Sequence, residues 1–254
     1  MEVKIFNTKK AMGAEAAHEA AEKIRNAIGK NDVANIILAT GASQFETLDH
    51  LARQTTVDWS KVVMFHLDEY AGMPEEHPAS FRKYLKERFL AKVPALKAVY
   101  FVEGDRDDVN EECMRLGGLI ARHPIDVALV GIGENAHLAF NDPPADFDTE
   151  QPYLIVELDE ACRRQQMGEG WFATLDDVPA KAISMSIRQI MKSNAIICSV
   201  PDKRKAAAVQ KCVEGEISNS YPASILQEHP DCTLYLDDES ASLLSKKNEE
   251  VAGR

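Results

Sequence analysis

Short apolar runs alternate with segments of helical periodicity along most of this chain. The runs suit strands that are covered on both faces, as in a parallel sheet, and residues 8–29 repeat alanine and isoleucine at the spacing of an amphipathic helix. The predicted strands are residues 35–40, 61–67, 98–102, 127–130, 153–158, 195–200 and 232–236. The predicted helices are residues 8–29, a segment that begins near Phe45, and residues 77–89, 107–122, 184–191 and 206–213. This alternation predicts an α/β fold with a mostly parallel sheet.

The length and continuity of the chain indicate a single domain. No internal repeat, low-complexity tract or interdomain linker interrupts residues 1–254, and a polar tail is predicted from about residue 245. No apolar run approaches about 20 residues, which argues against a membrane span, and the start MEVKIFNTKK does not have the pattern of a signal peptide. We therefore expect a cytoplasmic protein.

Charge and cysteine content narrow the function classes. The 29 Lys and Arg residues are outnumbered by 41 Asp and Glu residues, and the resulting net charge of −12 argues against a nucleic-acid partner. Any anionic small molecule must therefore find a local positive pocket. The five cysteines are widely spaced and form no CxxC pair, so we expect reduced thiols without a nucleophilic role and without a structural metal.

A dense group of proton-handling residues follows the apolar run 127–130. Gly131 and Gly133 end the run, and a polar segment begins directly after them. Its polar residues are Glu134, Asn135, His137, Asn141 and Asp142. Open α/β sheets bind ligands at the carboxyl ends of their strands, so this segment is a candidate active site. The alternative is a polar loop with an ordinary surface histidine.

Two adjacent carboxylates follow the apolar run 61–67. Asp68 and Glu69 are again predicted at the carboxyl end of a strand. A carboxylate held over a cleft is a common base for removing a carbon-bound proton next to a carbonyl group. The alternative is that the pair caps the next helix or binds surface cations.

Two strand-to-helix corners have features of an anion site. The first is the turn Thr40, Gly41, Ala42 and Ser43, whose small residues let the backbone and a helix N-terminus approach a phosphate. The second contains Lys203, Arg204 and Lys205 at a helix start, where the helix dipole disfavours cations unless an anion binds between them. The alternatives are a packing corner for the first and surface solubility for the second.

The segment 159–177 does not have a firm hydrophobic period, and we expect a mobile loop or lid there. Its Arg163 and Arg164 are candidates for contact with an anionic substrate, although paired arginines are also common on solvated surfaces. In the predicted helix 107–122, Glu111, Glu112 and Arg115 are expected to face solvent.

Taken together, these segments resemble the glucosamine-6-phosphate deaminase/isomerase family over nearly the whole chain. The resemblance lies in ATGAS at residues 39–43, FHLDEYAGMPEEHPASF at 65–81, GIGENAHLAFNDP at 131–143, KRKAAAVQKCVEG at 203–215 and PASILQEHP at 222–230. It implies a doubly wound, Rossmann-like α/β fold and conversion of an amino-sugar 6-phosphate to a ketose 6-phosphate with release of ammonia. It implies no metal or organic cofactor, and it leaves open whether the chain forms a homo-oligomer.

The resemblance also assigns roles to individual residues. Asp68 looks like the carboxylate that moves the proton from C2, and His137 looks like the group that opens the sugar ring. Asn135 and Asp142 would orient and polarise the imidazole of His137. The turn 40–43 and Lys205 match positions that hold the phosphate, and Glu69, Arg163 and Arg164 join them as candidate substrate contacts.

Several positions depart from the family pattern. Gln44 stands where a proline usually follows the turn, Asp142 replaces a glutamate, and Ala136 replaces a glycine. Asn135 stands where many members have an aspartate. These changes affect the expected substrate more than the expected reaction class.

Three other functions stay open from the sequence. A galactosamine-6-phosphate deaminase would differ only in the stereochemistry of its substrate at C4. A 6-phosphogluconolactonase-like hydrolase is a second alternative, which the LDEY segment at residues 67–70 disfavours. The third is a non-catalytic sugar-phosphate sensor, which the presence of both Asp68 and His137 disfavours.

Overall fold

The computed structural model describes residues 1–245 and contains a central sheet of seven parallel strands flanked by helices. The strands are β1 (Glu2–Phe6), β2 (Ala34–Leu38), β3 (Val62–His66), β4 (Asp68–Tyr70), β5 (Ala98–Tyr100), β6 (Val127–Val130), β7 (Tyr153–Glu157), β8 (Lys181–Met185), β9 (Ala195–Val200) and β10 (Cys232–Asp237). The order in the central sheet is β1-β10-β9-β6-β2-β3-β5. The predicted mostly parallel α/β fold is confirmed.

Helices cover both faces of the central sheet. They are α1 (Lys9–Asn31), α2 (Phe45–Ala52), α3 (Phe81–Arg88), α4 (Val109–Ile120), α5 (Glu160–Gly168), α6 (Ile187–Met191) and α7 (Ala206–Glu214). The side chains of β2 and β6 alternate between two separate cores. Ile36 and Leu38 pack with α1 and α2, whereas Ile37 packs with α4, α6 and α7. This burial on both faces explains why the strands have continuous apolar runs.

The strand order reverses between β2 and β6. From β2 the chain continues to β3 and β5 on one side, and from β6 it continues to β9 and β10 on the other. The loops after β2 and β6 therefore diverge, which opens a crevice at their carboxyl ends. The two glycine-containing segments noted in the sequence lie at this crevice.

A small antiparallel sheet of three strands, in the order β4-β8-β7, was not predicted. The segment 153–158 was correctly predicted as a strand, but it pairs in this second sheet. The segment 184–191 was predicted as a helix, whereas residues 184–185 end β8 and the helix begins at Ile187. These short strands pair across long sequence separations, so local periodicity does not reveal their partners.

The predicted loop at residues 159–177 is wrong in its first half, because α5 occupies Glu160–Gly168. The Asp159 carboxylate caps this helix by accepting a hydrogen bond from the Cys162 backbone N–H. Polar residues occupy most of the helix, and its buried positions include Gln166, so the hydrophobic period is weak. β1 was also missed.

The prediction that Glu112 faces solvent is wrong. Its side chain is fully buried and accepts hydrogen bonds from the Glu103 backbone N–H and from the Arg115 guanidinium. A buried carboxylate needs such donors, and these contacts connect α4 to the chain after β5. The burial of Glu112 depends on residues outside its helix, so the helical pattern of the sequence does not reveal it.

The predicted polar tail from about residue 245 falls almost entirely on residues 246–254, which lie outside the described part of the chain. Within residues 1–245, no helix has the length and apolar character needed to cross a membrane.

A comparison of two glycines tests how the second sheet is held. A Cβ at Gly104 would lie 2.1 Å from the Tyr70 carbonyl oxygen of β4, whereas a Cβ at Gly118 in α4 would meet no atom within 4 Å. We expect Gly104→Ala to lower the free energy of unfolding by more than about 2 kcal/mol, because backbone must move. Gly118→Ala should leave it unchanged or raise it by up to about 1 kcal/mol. Urea denaturation measures both values, and equal effects would contradict the close backbone contact.

Candidate active site

The crevice between β2 and β6 forms an open cleft, and the empty space in it, together with the adjoining solvent, is about 660 Å³. Six parts of the chain line it: the turn after β2, the start of β4, the start of α3, the loop after β6, α5 with Glu169, and the corner after β9. Of the candidates from the sequence, the lining includes Thr40, Gly41, Ala42, Ser43, Asp68, His137 and Lys205. The structure therefore brings together both predicted proton-handling residues and both predicted anion corners.

Asp68 lies in the cleft as a buried carboxylate without a partner. Its residue is 6% exposed, and no hydrogen bond or ion pair within residues 1–245 uses its side chain. Burial, reinforced by the neighbouring Glu69 charge, raises the pKa of Asp68 to about 8. A carboxyl group with a pKa near neutrality can accept and return a proton, which is the property required of a general base.

Glu69 does not line the cleft, which corrects its prediction as a substrate contact. Successive side chains of a strand point to opposite faces, so Glu69 points away from Asp68. Its carboxylate accepts hydrogen bonds from the backbone N–H groups of Tyr70, Phe81 and Arg82 and from the Ser80 hydroxyl. Glu69 thus anchors the first turn of α3, as in the helix-cap alternative.

The second sheet connects Asp68 to the loop that carries His137. Asp68 in β4 pairs with Ser184 in β8. The Ser184 hydroxyl accepts a hydrogen bond from the backbone N–H of Phe140, and the Asn141 side chain donates to the carbonyls of Leu138 and Met185. Asn141 is therefore a structural residue, and these bonds hold the two halves of the cleft together.

The His137 ring packs directly against Gly133. A Cβ at Gly133 would lie 2.3 Å from ring atoms of His137, so only glycine leaves room for the imidazole. Between them, Ala136 has a φ of 68°, in the left-handed region. This conformation favours glycine and gives a physical reason for the glycine that the family pattern has at this position.

Asn135 and Asp142 both lie beside His137. The Nδ1 atom of His137 lies 3.1 Å from Oδ1 of Asp142, although the ring is not aligned for a hydrogen bond. The Asn135 side chain donates to Asp142 and accepts from the His137 backbone N–H. Burial alone would raise the pKa of Asp142, but the contact with His137 and the bonds from Asn135 and the Asp159 N–H hold it below its usual value. Asp142 is therefore an ionised group next to the imidazole.

The turn after β2 supplies backbone donors and a hydroxyl to the cleft. Gly41 has a φ of 88° and a ψ of 171°, a conformation that is essentially restricted to glycine. A short 3₁₀ turn, Ala42–Gln44, follows and runs directly into α2. The Gln44 side chain donates a hydrogen bond to the Val130 carbonyl of β6, which fixes the turn to the neighbouring strand.

Lys205 faces this turn from the other side of the cleft. It is 6% exposed, and no hydrogen bond or ion pair within the described residues uses its ammonium group. Burial lowers the pKa of Lys205. An unpaired buried cation facing a turn of backbone donors is an arrangement suited to a phosphate group.

The predicted arginine contacts do not lie in the cleft. The Arg163 guanidinium donates hydrogen bonds to the carbonyls of Leu175 and Val178, and exposed Arg164 pairs with Glu160 on the same helix. Both therefore have other partners.

Helix α5 instead contributes Gln165, Gln166 and Glu169 to the cleft, and these residues were missed because the helix was not predicted. The Gln165 side chain accepts a hydrogen bond from the Glu134 backbone N–H, which connects α5 to the loop after β6. Arg204, noted as part of a basic corner, also lines the cleft and pairs with Glu134 at 3.2 Å. An aspartate is a common N-cap residue, so Asp159 was the one feature of the sequence that could have indicated the start of α5.

Comparison with known families agrees with this geometry. A family model described as glucosamine-6-phosphate isomerases/6-phosphogluconolactonase matches residues 7–235. The chain belongs to this family.

Curated relatives are similar to this chain in amino-acid sequence over most of their length. A glucosamine-6-phosphate deaminase of Oenococcus oeni is 37% identical over 210 residues, which cover 83% of this chain and 86% of the relative. One from Listeria innocua is 36% identical over 228 residues, covering 89% and 94% of the two chains.

Two solved structures have the same fold as this chain. A monomeric glucosamine-6-phosphate deaminase of the NagB superfamily has a TM-score of 0.88 and 32% identity, covering 96% of this chain and all of that chain. A 6-phosphogluconolactonase from Trypanosoma brucei has a TM-score of 0.76 at 17% identity, covering 95% of this chain and 97% of the other, and this likeness concerns the fold alone.

The unpaired Asp68 carboxylate should reduce stability as the pH rises. Since its folded pKa of about 8 lies above the usual value near 4, the folded state holds a proton that the unfolded state releases between those values. Asp68→Asn should therefore raise the free energy of unfolding by an amount that grows from about pH 4 to about pH 8. Each unit of pKa difference corresponds to about 1.4 kcal/mol.

Urea denaturation at several pH values measures this gain. Exposed Glu160→Gln is the matched control, and its effect should be small at every pH. A pH-independent difference between wild type and Asp68→Asn would contradict the raised pKa.

Proposed function

We propose that this protein converts glucosamine 6-phosphate and water to fructose 6-phosphate and ammonia. The observation that carries the proposal is the placement of Asp68, without a partner, in one cleft with His137 and with Lys205 facing the turn 40–43. Family membership and the deaminase relatives support the same reaction.

The anion corner would hold the 6-phosphate. Lys205 supplies the positive charge, and the turn 40–43 supplies backbone N–H groups and the Ser43 hydroxyl. Arg204 adds a second cation at the edge of the same corner, where it pairs with Glu134. A negatively charged chain thus has a local positive pocket, and the phosphate orients the sugar towards the two proton-handling groups.

His137 would open the pyranose ring by moving a proton between the C1 hydroxyl and the ring oxygen. This transfer produces the open-chain aldehyde. The ionised Asp142 carboxylate next to Nδ1 stabilises the protonated imidazole during this transfer. A small rotation of the ring aligns the Nδ1–H with the carboxylate.

Asp68 would then take the proton from C2 of the open-chain sugar. The C2–H electron pair forms a C1–C2 double bond while the C1 carbonyl oxygen takes a proton from solvent and becomes a hydroxyl, which gives an enolamine. The Asp68 carboxylic acid returns its proton to C1, and C2 becomes an iminium carbon. Water adds to C2, ammonia leaves with the extra proton as ammonium, and the ketose 6-phosphate remains. Because burial raises the pKa of Asp68 to about 8, its carboxylate is a stronger base towards the C2–H bond than an ordinary exposed aspartate.

Ammonia release measures the reaction directly. Wild-type protein should release ammonia from glucosamine 6-phosphate, and Asp68→Asn should lose at least about 10²- to 10⁴-fold in kcat while still binding the sugar phosphate. Glu160→Gln, on the exposed face of α5, should retain full activity. Retained turnover in Asp68→Asn would reject the proton-transfer role.

Parallel assays separate the alternative functions. Preference for galactosamine 6-phosphate would identify the C4 epimer as the substrate. Hydrolysis of 6-phosphogluconolactone without ammonia release from either amino sugar would assign the lactonase reaction. Tight binding of the amino-sugar phosphates without any turnover would identify a sensor.

His137 can be tested apart from Asp68 by comparing closed-ring and open-chain substrates. His137→Gln should slow the closed-ring sugar phosphate by about 10²-fold or more, and it should slow an open-chain amino-aldose phosphate much less, because that compound does not need ring opening. Steady-state kcat values for the two compounds measure the difference. Equal losses would remove the ring-opening role from His137.

A further inference from the structure

Three side chains with different donor atoms converge behind the cleft. The ligand atoms of His137, Asp142 and Cys162 all lie within 4.8 Å of one another. An imidazole nitrogen, a carboxylate oxygen and a thiolate sulfur are the atoms by which proteins bind zinc. The three positions follow no zinc motif along the chain, because Cys162 reaches the cluster only through the packing of α5.

The Nδ1 atom of His137 has an unsatisfied position in this cluster. It is buried, has no aligned hydrogen bond, and lies 3.1 Å from the Asp142 carboxylate. Buried polar atoms are normally paired, and a ring lone pair directed at a carboxylate is repelled unless a proton or a cation lies between them. A metal ion at this position would satisfy the nitrogen and bind the carboxylate and the sulfur at the same time.

The charge around Cys162 also favours a divalent cation. Cys162 is fully buried, and the carboxylates of Asp142 and Asp159 lie close to it. The same negative surroundings that disfavour a free thiolate attract a dication. Zinc binding would release the thiol proton to solvent, and the charges of the thiolate and the carboxylate would balance that of the ion.

The required movement is small. Zinc bonds of about 2.0–2.3 Å in a tetrahedral arrangement place donor atoms roughly 3.5 Å apart. The present separations are at most 4.8 Å, so each pair of donor atoms has to close by no more than about 1.3 Å. Three protein ligands leave a fourth position for water.

We propose that His137, Asp142 and Cys162 form a zinc-binding site and that zinc bound there inhibits the enzyme. The ion takes the Nδ1 atom of His137 and the carboxylate that polarises it, so the imidazole loses the proton exchange needed for ring opening. The binding itself is independent of the proposed function, whereas the inhibition rests on it.

A second cluster of possible ligands provides a control. Asp202, Asp237 and Glu239 also bring their carboxylates within 4.8 Å, but the cluster has no sulfur or nitrogen donor and Glu239 is exposed. Such a cluster suits hard cations rather than zinc. A spectroscopic signal from sulfur therefore distinguishes the two places.

Cobalt(II) titration of the metal-free full-length protein tests the site. We expect a near-ultraviolet charge-transfer band from thiolate to cobalt, which Zn²⁺ abolishes by displacing the cobalt. Cys162→Ala should lose the band and weaken zinc inhibition of ammonia release by about 100-fold or more. Cys113→Ala and Glu239→Gln, which change a cysteine and a carboxylate elsewhere, should keep both the band and the inhibition.

Several outcomes would overturn the proposal. They are the absence of a band in the wild-type protein, an unchanged band or unchanged inhibition in Cys162→Ala, and loss of binding in Glu239→Gln. If Cys162→Ala does not fold, Cys162→Ser keeps the packing and replaces the sulfur by a much poorer zinc ligand. If the wild-type protein shows the band but releases no ammonia, the site stands and the proposed function fails.

Discussion

The hydrogen bonds to the Glu69 carboxylate are the interaction on which the rest of the site depends. The Tyr70 N–H of β4 and, at the start of α3, two backbone N–H groups and the Ser80 hydroxyl satisfy this buried group, and the Arg82 guanidinium lies 3.7 Å away. These bonds fix β4 and so fix Asp68, whose side chain points the opposite way into the cleft. One of two adjacent carboxylates is fully used for structure, which leaves the other without a partner and available for chemistry.

Two buried ionisable groups without partners in the cleft lower the stability of the fold. Asp68 and Lys205 are both nearly buried, and neither pairs with a protein group within residues 1–245. Burial moves both pKa values towards neutrality, since the charged form of each group is desolvated. The two cores on either side of the parallel sheet provide the rigid framework that holds these groups in place. A ligand with a phosphate and an acidic C–H bond would use both groups.

Helix α5 connects parts of the site that are far apart in sequence. Its first turn touches Asp142 through the Asp159 N–H, and its last turn places Glu169 near the turn after β2. The Asp142 carboxylate is thus held by a backbone N–H at the start of a helix. The same packing brings Cys162 to His137 and creates the mixed donor set.

The amino-acid sequence by itself determined the parallel α/β core, the two corners at the carboxyl edge, and the candidates Asp68 and His137. Continuous apolar runs and small-residue turns are local signals, so they can be recognised without partners. Only the tertiary structure decided that Glu69 and Glu112 are buried anchors, that Arg163 and Arg164 lie outside the cleft, and that β8 joins Asp68 to the His137 loop. These outcomes depend on which distant groups meet after folding, because a charged side chain is buried only where donors from other segments reach it.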